Sequence, residues 1–108
     1  DRFMEANLTE EISAVDIACA AGVPVRTLYH AFRKCRGVSP MVWLRSLRLV
    51  RARFDLLNGE PGSVNVTDVA HRYQMAHMGR FARSYYQEFG EYPSRTMRHA
   101  LSGQSRDA

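Results

Sequence analysis

Arginine dominates the residues of this chain that could do chemistry, and its placement narrows what that chemistry is. Of 15 Lys and Arg residues, only Lys34 is a lysine. Residues 17–54 contain no carboxylate, yet they carry Arg26, Arg33, Lys34, Arg36, Arg45, Arg48, Arg51 and Arg53. The planar guanidinium fork matches phosphate oxygens and guanine edges two bonds at a time. A solvated helical surface ordinarily mixes signs, so one sign over this length points to a polyanionic partner. The net charge of +4 is modest; the inference rests on how it is distributed. Catalysis has no comparable support. Ser, His and Asp occur, but none lies in a nucleophile turn, a Gly-rich phosphate loop or a carboxylate pair, so the chain is not expected to be an enzyme. Cys19 and Cys35 have no metal-ligand spacing to His30, His71, His77 or His99, so neither a metal nor another cofactor is expected. Both are read as reduced thiols of a cytoplasmic protein, with Cys19 buried among Ala18, Ala20 and Ala21.

These arginines fall on a pattern that occurs twice. Ser13-Ala14-Val15-Asp16-Ile17-Ala18 returns as Asn65-Val66-Thr67-Asp68-Val69-Ala70, an offset of 52. Leu28, Phe32, Gly37 and Pro40 return as Phe81, Tyr85, Gly90 and Pro93, an offset of 53, so the second copy has one extra residue near its turn. Each copy reads as a short capped helix, a tight turn, a longer helix with an outward cationic face, and a Gly/Pro stop. Two helix-turn-helix units on one basic chain imply a protein that reads neighbouring turns of double-stranded DNA.

The elements that position these faces follow from periodicity and punctuation. Residues 2–7 read as a first helix. Ser13, with Asp16 three residues on, caps a second over 14–20 whose inward side includes Val15, Ile17 and Ala18, and Gly22 ends it. Pro24 opens a third, ending near Cys35. Ser39-Pro40 begins the longest, over about 40–58. Its apolar stripe of Trp43, Leu44, Leu47, Val50, Phe54 and Leu57 is widened by Leu49, Ala52 and Leu56. Residues 58–63 form the clear loop. Asn65 caps a fifth helix over 66–73, a sixth ends at Phe89 before Gly90, and Pro93 opens a seventh reaching about Leu101. No segment alternates at period two long enough to be a strand, so the fold class is all-α. The expected organisation is a first helix-turn-helix subdomain over 1–38, a linker helix over 39–58, a second subdomain over 59–101, and a disordered tail over 102–108. A linker of about eighteen residues spans roughly 27 Å, close to the roughly 34 Å repeat of B-DNA.

With Leu28 and Phe32 facing inward, Arg26, Tyr29, His30 and Arg33 share the opposite side of the third helix. Arg26 suits guanine, Tyr29 and His30 can hydrogen-bond or pack on a thymine methyl, and Arg33 reaches a base or a phosphate. In the sixth helix Phe81, Tyr85 and Phe89 turn inward. His77, Met78, Arg80 and Arg83 then face the groove, and Gly79 permits close approach. Thr27, Lys34, Arg36, Arg45, Arg48 and Gln87 are assigned to the DNA backbone.

The chain resembles the DNA-binding domain of the AraC/XylS family of bacterial transcription regulators. The resemblance rests on Asp16-Ile17-Ala18, Gly22-Val23, Thr27-Leu28-Tyr29, Phe32-Arg33, Gly37-Val38-Ser39-Pro40, Leu44-Arg45, Arg48-Leu49 and Ala52. It continues through Asp68-Val69-Ala70, Tyr73, Gly79-Arg80-Phe81, Tyr85, Phe89-Gly90 and Pro93-Ser94. It implies seven helices and a monomeric domain that binds asymmetric sites, with a linker helix between two reading heads. It places base reading on Arg26, Tyr29 and His30, and on Met78, Gly79, Arg80 and Arg83. It also implies transcriptional activation at promoters, contact with RNA polymerase, and an N-terminal sensor domain with a small-molecule effector. Two positions depart from the family pattern. Gln74 stands where the second turn usually has glycine, and Pro24 and Ala76 stand where serine commonly caps each recognition helix.

At 108 residues, with 45% apolar content, the chain is one compact domain or two small lobes sharing a helix. No run of about 18 apolar residues exists, so no membrane association is expected. The opening Asp1-Arg2-Phe3-Met4 shows no secretory leader and no initiator Met, which is read as a fragment of a longer regulator. The competing reading is a helical protein–protein interaction module with a basic surface, the long helix serving as its contact face.

Overall fold

The structure is a computed structural model; it describes residues 2–59 and 64–107, with side chains as far as residue 100. Seven helices follow in order: α1 Arg2–Ala6, α2 Ala14–Ala21, α3 Val25–Arg36, α4 Pro40–Asn58, α5 Val66–Arg72, α6 Met78–Phe89 and α7 Pro93–Asp107. Among the described residues there is no strand, and no helix is long and apolar enough to cross a membrane. Most of the loop expected over 58–63 lies outside the described residues. The last helix continues to Asp107, through most of the stretch expected to be a disordered tail. No proline follows Leu101 to force the chain out of the helix.

Two compact units divide the chain, Asp1–Arg48 and Leu49–Ala108, so the boundary falls within α4. In the first, α1 packs on α2 and α2 on α3. Met4, Leu8, Ile17, Ala18, Leu28, Phe32 and Leu44 form its core. The buried guanidinium of Arg48 donates from Nε to the Leu8 carbonyl at 3.1 Å and from Nη2 to the Glu10 carbonyl at 2.7 Å. It thereby pins the α1–α2 connection to α4, satisfying carbonyls that no helix serves. Burial pushes Arg48 below the usual arginine value, without bringing it near neutrality.

The second unit packs α5 on α6 and α7, and α6 on α7. Leu49, Ala52, Leu56, Val69, Ala70, Tyr73, Phe81 and Tyr85 are buried. Truncating a buried ring such as Phe81 costs about 3–5 kcal/mol, so these aromatics set the pose of α6. A polar relay fastens α7: Tyr85 Oη–H donates to Thr96 Oγ1 at 2.7 Å, and Thr96 donates to Glu91. Arg53 joins from α4, with Nη1 3.4 Å from Glu91 Oε2 and its guanidinium 4.9 Å from the Phe89 ring centroid. The Thr96 hydrogen bond holds the Glu91 carboxyl below the usual glutamate range, and burial pushes the Tyr85 hydroxyl up. Asp55 ties α4 to α5, accepting from Arg72 and from Tyr73 Oη, each at 2.6 Å.

Three apolar expectations are corrected. Val15 is 57% exposed on α2, and Cys19 is exposed as well. On α4 the buried line is Leu44, Arg48, Leu49, Ala52 and Leu56, whereas Val50, Phe54 and Leu57 face solvent. The buried line contains an arginine and an alanine, so counting apolar residues favours the neighbouring stripe.

Candidate nucleic-acid interface

Both units build their second helix by the same local rules. Ser13 Oγ accepts from the Asp16 N–H at 3.3 Å and Asp16 Oδ2 accepts from the Ser13 N–H at 2.8 Å, a reciprocal cap for α2. Asn65 Oδ1 accepts from the Asp68 N–H at 2.8 Å and starts α5 equivalently. The turns also match. Gly22 N–H reaches the Cys19 carbonyl and Val23 N–H the Ala18 carbonyl; Gln74 reaches His71 and Met75 reaches Ala70, all 52 positions later. Gln74 takes φ +62°, close to the +72° of Gly22, so the turn survives without glycine. The strain of a side chain at positive φ is absorbed there, on the order of 1–2 kcal/mol. The next helix is capped by Pro24 in one unit and by His77 in the other, 53 positions apart. The extra residue of the second copy is therefore Ala76, between turn and cap.

That placement corrects the cap position of α6, which is His77 and not Ala76. His77 Nδ1 accepts from the Arg80 N–H at 3.0 Å, whereas Pro24 gives α3 no side-chain cap. The repeat register of 53 running through Phe81 and Tyr85 carries this signal, because it aligns His77, not Ala76, with Pro24.

On α3, Leu28 and Phe32 are buried, and Arg26, Thr27, His30, Arg33 and Lys34 are exposed on the other side, with Tyr29 half-buried. On α6, Phe81 and Tyr85 are buried and Phe89 is half-buried. His77, Gly79, Arg80, Arg83 and Gln87 are exposed there, with Met78 half-buried. Each helix thus exposes its expected readers except Tyr29 and Met78, which are half-buried.

The arginines sort into two groups. Arg53 and Arg72 pair with carboxylates and Arg48 is buried on carbonyls. Arg26, Arg33, Arg80 and Arg83 form no ion pair among the described residues. Arg48, assigned from sequence to the DNA backbone, is corrected to a structural residue, because it is buried and its Nε and Nη2 donate to main-chain carbonyls of unit one. Arg45 is exposed. Arg36 is exposed and sits over Trp43, its Cζ 4.3 Å from the ring centroid, a cation–π contact. Gly79 has a helical backbone, and a Cβ built there meets only His77, with Cε1 at 3.5 Å. Among the described residues no packing contact demands glycine at that exposed position.

Two helix-turn-helix units, each with a buried apolar stripe under an arginine-bearing face, define the class to which this fold belongs. A family model described as "Helix-turn-helix domain" matches residues 17–99. The "Probable thc operon regulatory protein" of Rhodococcus erythropolis is 38% identical over 89% of this chain and 29% of its own length. The "XylDLEGF operon transcriptional activator 2" of Pseudomonas putida is 38% identical over 89% of this chain and 61% of its own. The crystal structure of "a probable AraC family transcriptional regulator" from Rhodopseudomonas palustris CGA009 superposes with TM-score 0.84 at 33% identity, covering 92% of this chain and 91% of that one. The chain belongs to the AraC/XylS family of helix-turn-helix DNA-binding transcription regulators. It spans 29% and 61% of the length of those two operon regulators, less than two thirds of either.

Proposed function

We propose that α3 and α6 each enter a major groove of the same DNA duplex, in successive turns, and that the domain thereby activates transcription at promoters. One observation carries the reading: two helices made by repeated local rules bury an apolar stripe and expose arginines that form no ion pair among the described residues. Bases are read by Arg26, Tyr29, His30 and Arg33 in one head and by His77, Met78, Gly79, Arg80 and Arg83 in the other. Thr27, Lys34, Arg36, Arg45 and Gln87 hold the backbone. The 19 residues of α4 supply a rise of roughly 28 Å, commensurate with one turn of B-DNA. The domain acts as a monomer in the cytoplasm. A sensor domain that binds a small-molecule effector, and RNA polymerase, complete the regulator, in keeping with the larger size of its relatives.

Selection from a random duplex pool tests this. A two-block motif with centres about one helical turn apart is expected, with affinity that falls steeply as salt rises. A single block, or affinity indifferent to salt, defeats the reading. The solvent-facing Val50, Phe54 and Leu57 on α4 favour a second role as a protein contact face. Binding through that face would respond little to salt.

A further inference from the structure

His77 occupies two roles at once, and the first constrains the second. A backbone N–H only donates, so the 3.0 Å contact from Arg80 N–H makes His77 Nδ1 the acceptor. An accepting Nδ1 carries no proton, and the ring proton then sits on Nε2. The two ring nitrogens point in divergent directions, so with Nδ1 turned into the end of α6, Nε2–H is directed away from it. His77 is exposed, and among the described residues no acceptor takes Nε2. The ring is also positioned: its Cε1 lies 3.5 Å and its Nδ1 3.8 Å from where a Gly79 Cβ would stand, so it covers the glycine backbone at ordinary contact distance.

We propose that His77 is a fixed-tautomer, donor-only reader: its cap bond to Arg80 commits Nε2–H to a hydrogen-bond acceptor of DNA. The acceptor is a purine N7, guanine O6 or thymine O4 on a base edge, or a phosphate oxygen. Donor groups such as adenine N6 and cytosine N4 are refused at this contact. The inference rests on the DNA-binding reading of α6 and assigns His77 a chemistry that reading leaves open. The same bond makes His77 a positioning residue for Arg80, whose backbone it anchors one turn from the helix start.

Two measurements test it. In 15N spectra of the free domain at pH 8, His77 should show the Nε2-protonated tautomer; an Nδ1-protonated ring overturns the proposal. His77→Ser keeps a good cap and removes the ring. Its melting temperature should equal or exceed wild type, while affinity for the duplex selected by the wild-type domain falls about three- to tenfold. Loss confined to sites with an acceptor at one base step identifies a base edge, and uniform loss identifies phosphate. His77→Ser with wild-type affinity and selectivity overturns the donor role while leaving DNA binding by the domain intact. A wild-type domain that selects no duplex removes both.

Discussion

Replacing Gly79 with alanine separates what the fold wants from what the proposed partner wants. In the first turn of α6, glycine is a poor helix residue; alanine is better by about 1 kcal/mol in a helix interior, and we take about half of that for the first turn. Beyond its own chain neighbours and helix backbone, the added methyl meets only the His77 ring among the described residues, at 3.5 and 3.8 Å, so no steric cost offsets the gain. The variant should melt about 2–4 °C higher. On DNA the sign reverses. A methyl placed where the helix backbone meets the groove floor must be accommodated by displacement, costing about 1–3 kcal/mol by analogy with overpacking, or roughly 5- to 150-fold in affinity. Thermal denaturation followed by fluorescence anisotropy on a selected duplex reads both quantities. A more stable Gly79→Ala protein that binds with unchanged affinity would refute the close approach of α6 to DNA. A less stable one would refute the packing argument.

The other predictions concern charge, strain and pH. Arg45→Ala should lower the slope of log affinity against log salt by about one, as expected for a lost phosphate contact. Arg48→Met should leave that slope unchanged but destabilise the fold by about 2–3 kcal/mol, because the Leu8 and Glu10 carbonyls lose their donors. A reduced slope for Arg48→Met would return Arg48 to the DNA. Gln74→Gly relieves the αL strain but loses the side chain's own contacts and adds unfolded-state entropy, so stability should change by less than about 1 kcal/mol; a larger loss on chemical denaturation would show that those contacts outweigh the strain. Glu91 has a depressed folded value, so its contribution is present above the ordinary glutamate value and disappears as pH falls through the lower folded one. Melting temperature should therefore drop on the acid side of about pH 4, and Glu91→Gln should blunt that drop. Equal acid sensitivity in both proteins would remove Glu91 from the account.

The sequence made the duplicated plan legible because its signals are local. Caps at Ser13 and Asn65, stops at Gly22, Gly37 and Gly90, and the spacing of Leu28 with Phe32 and Phe81 with Tyr85 each act within one or two turns. Arg48 was opaque for the opposite reason: its acceptors are main-chain carbonyls 40 and 38 positions away, which leave no trace in side-chain identity. Phe54 illustrates a second limit. Period 3.6 identifies stripes on α4 but not which one turns inward, and an arginine inside the buried stripe disguised it. Small neighbours implied burial at Cys19 and helical spacing placed Val15 inward, whereas the residues α2 buries are Ile17 and Ala18. The cap made by His77 is not legible in the sequence, because histidine is not among the usual capping residues.

The central claim is that both heads grip one duplex together, and DNA phasing tests it most directly. Anisotropy titrations would compare the selected two-block duplex with versions carrying five or ten additional base pairs between the blocks. Rotating one block to the opposite face of the helix with five base pairs should reduce affinity to that of a single block. Undiminished affinity after the five-base-pair insertion would contradict simultaneous reading by α3 and α6.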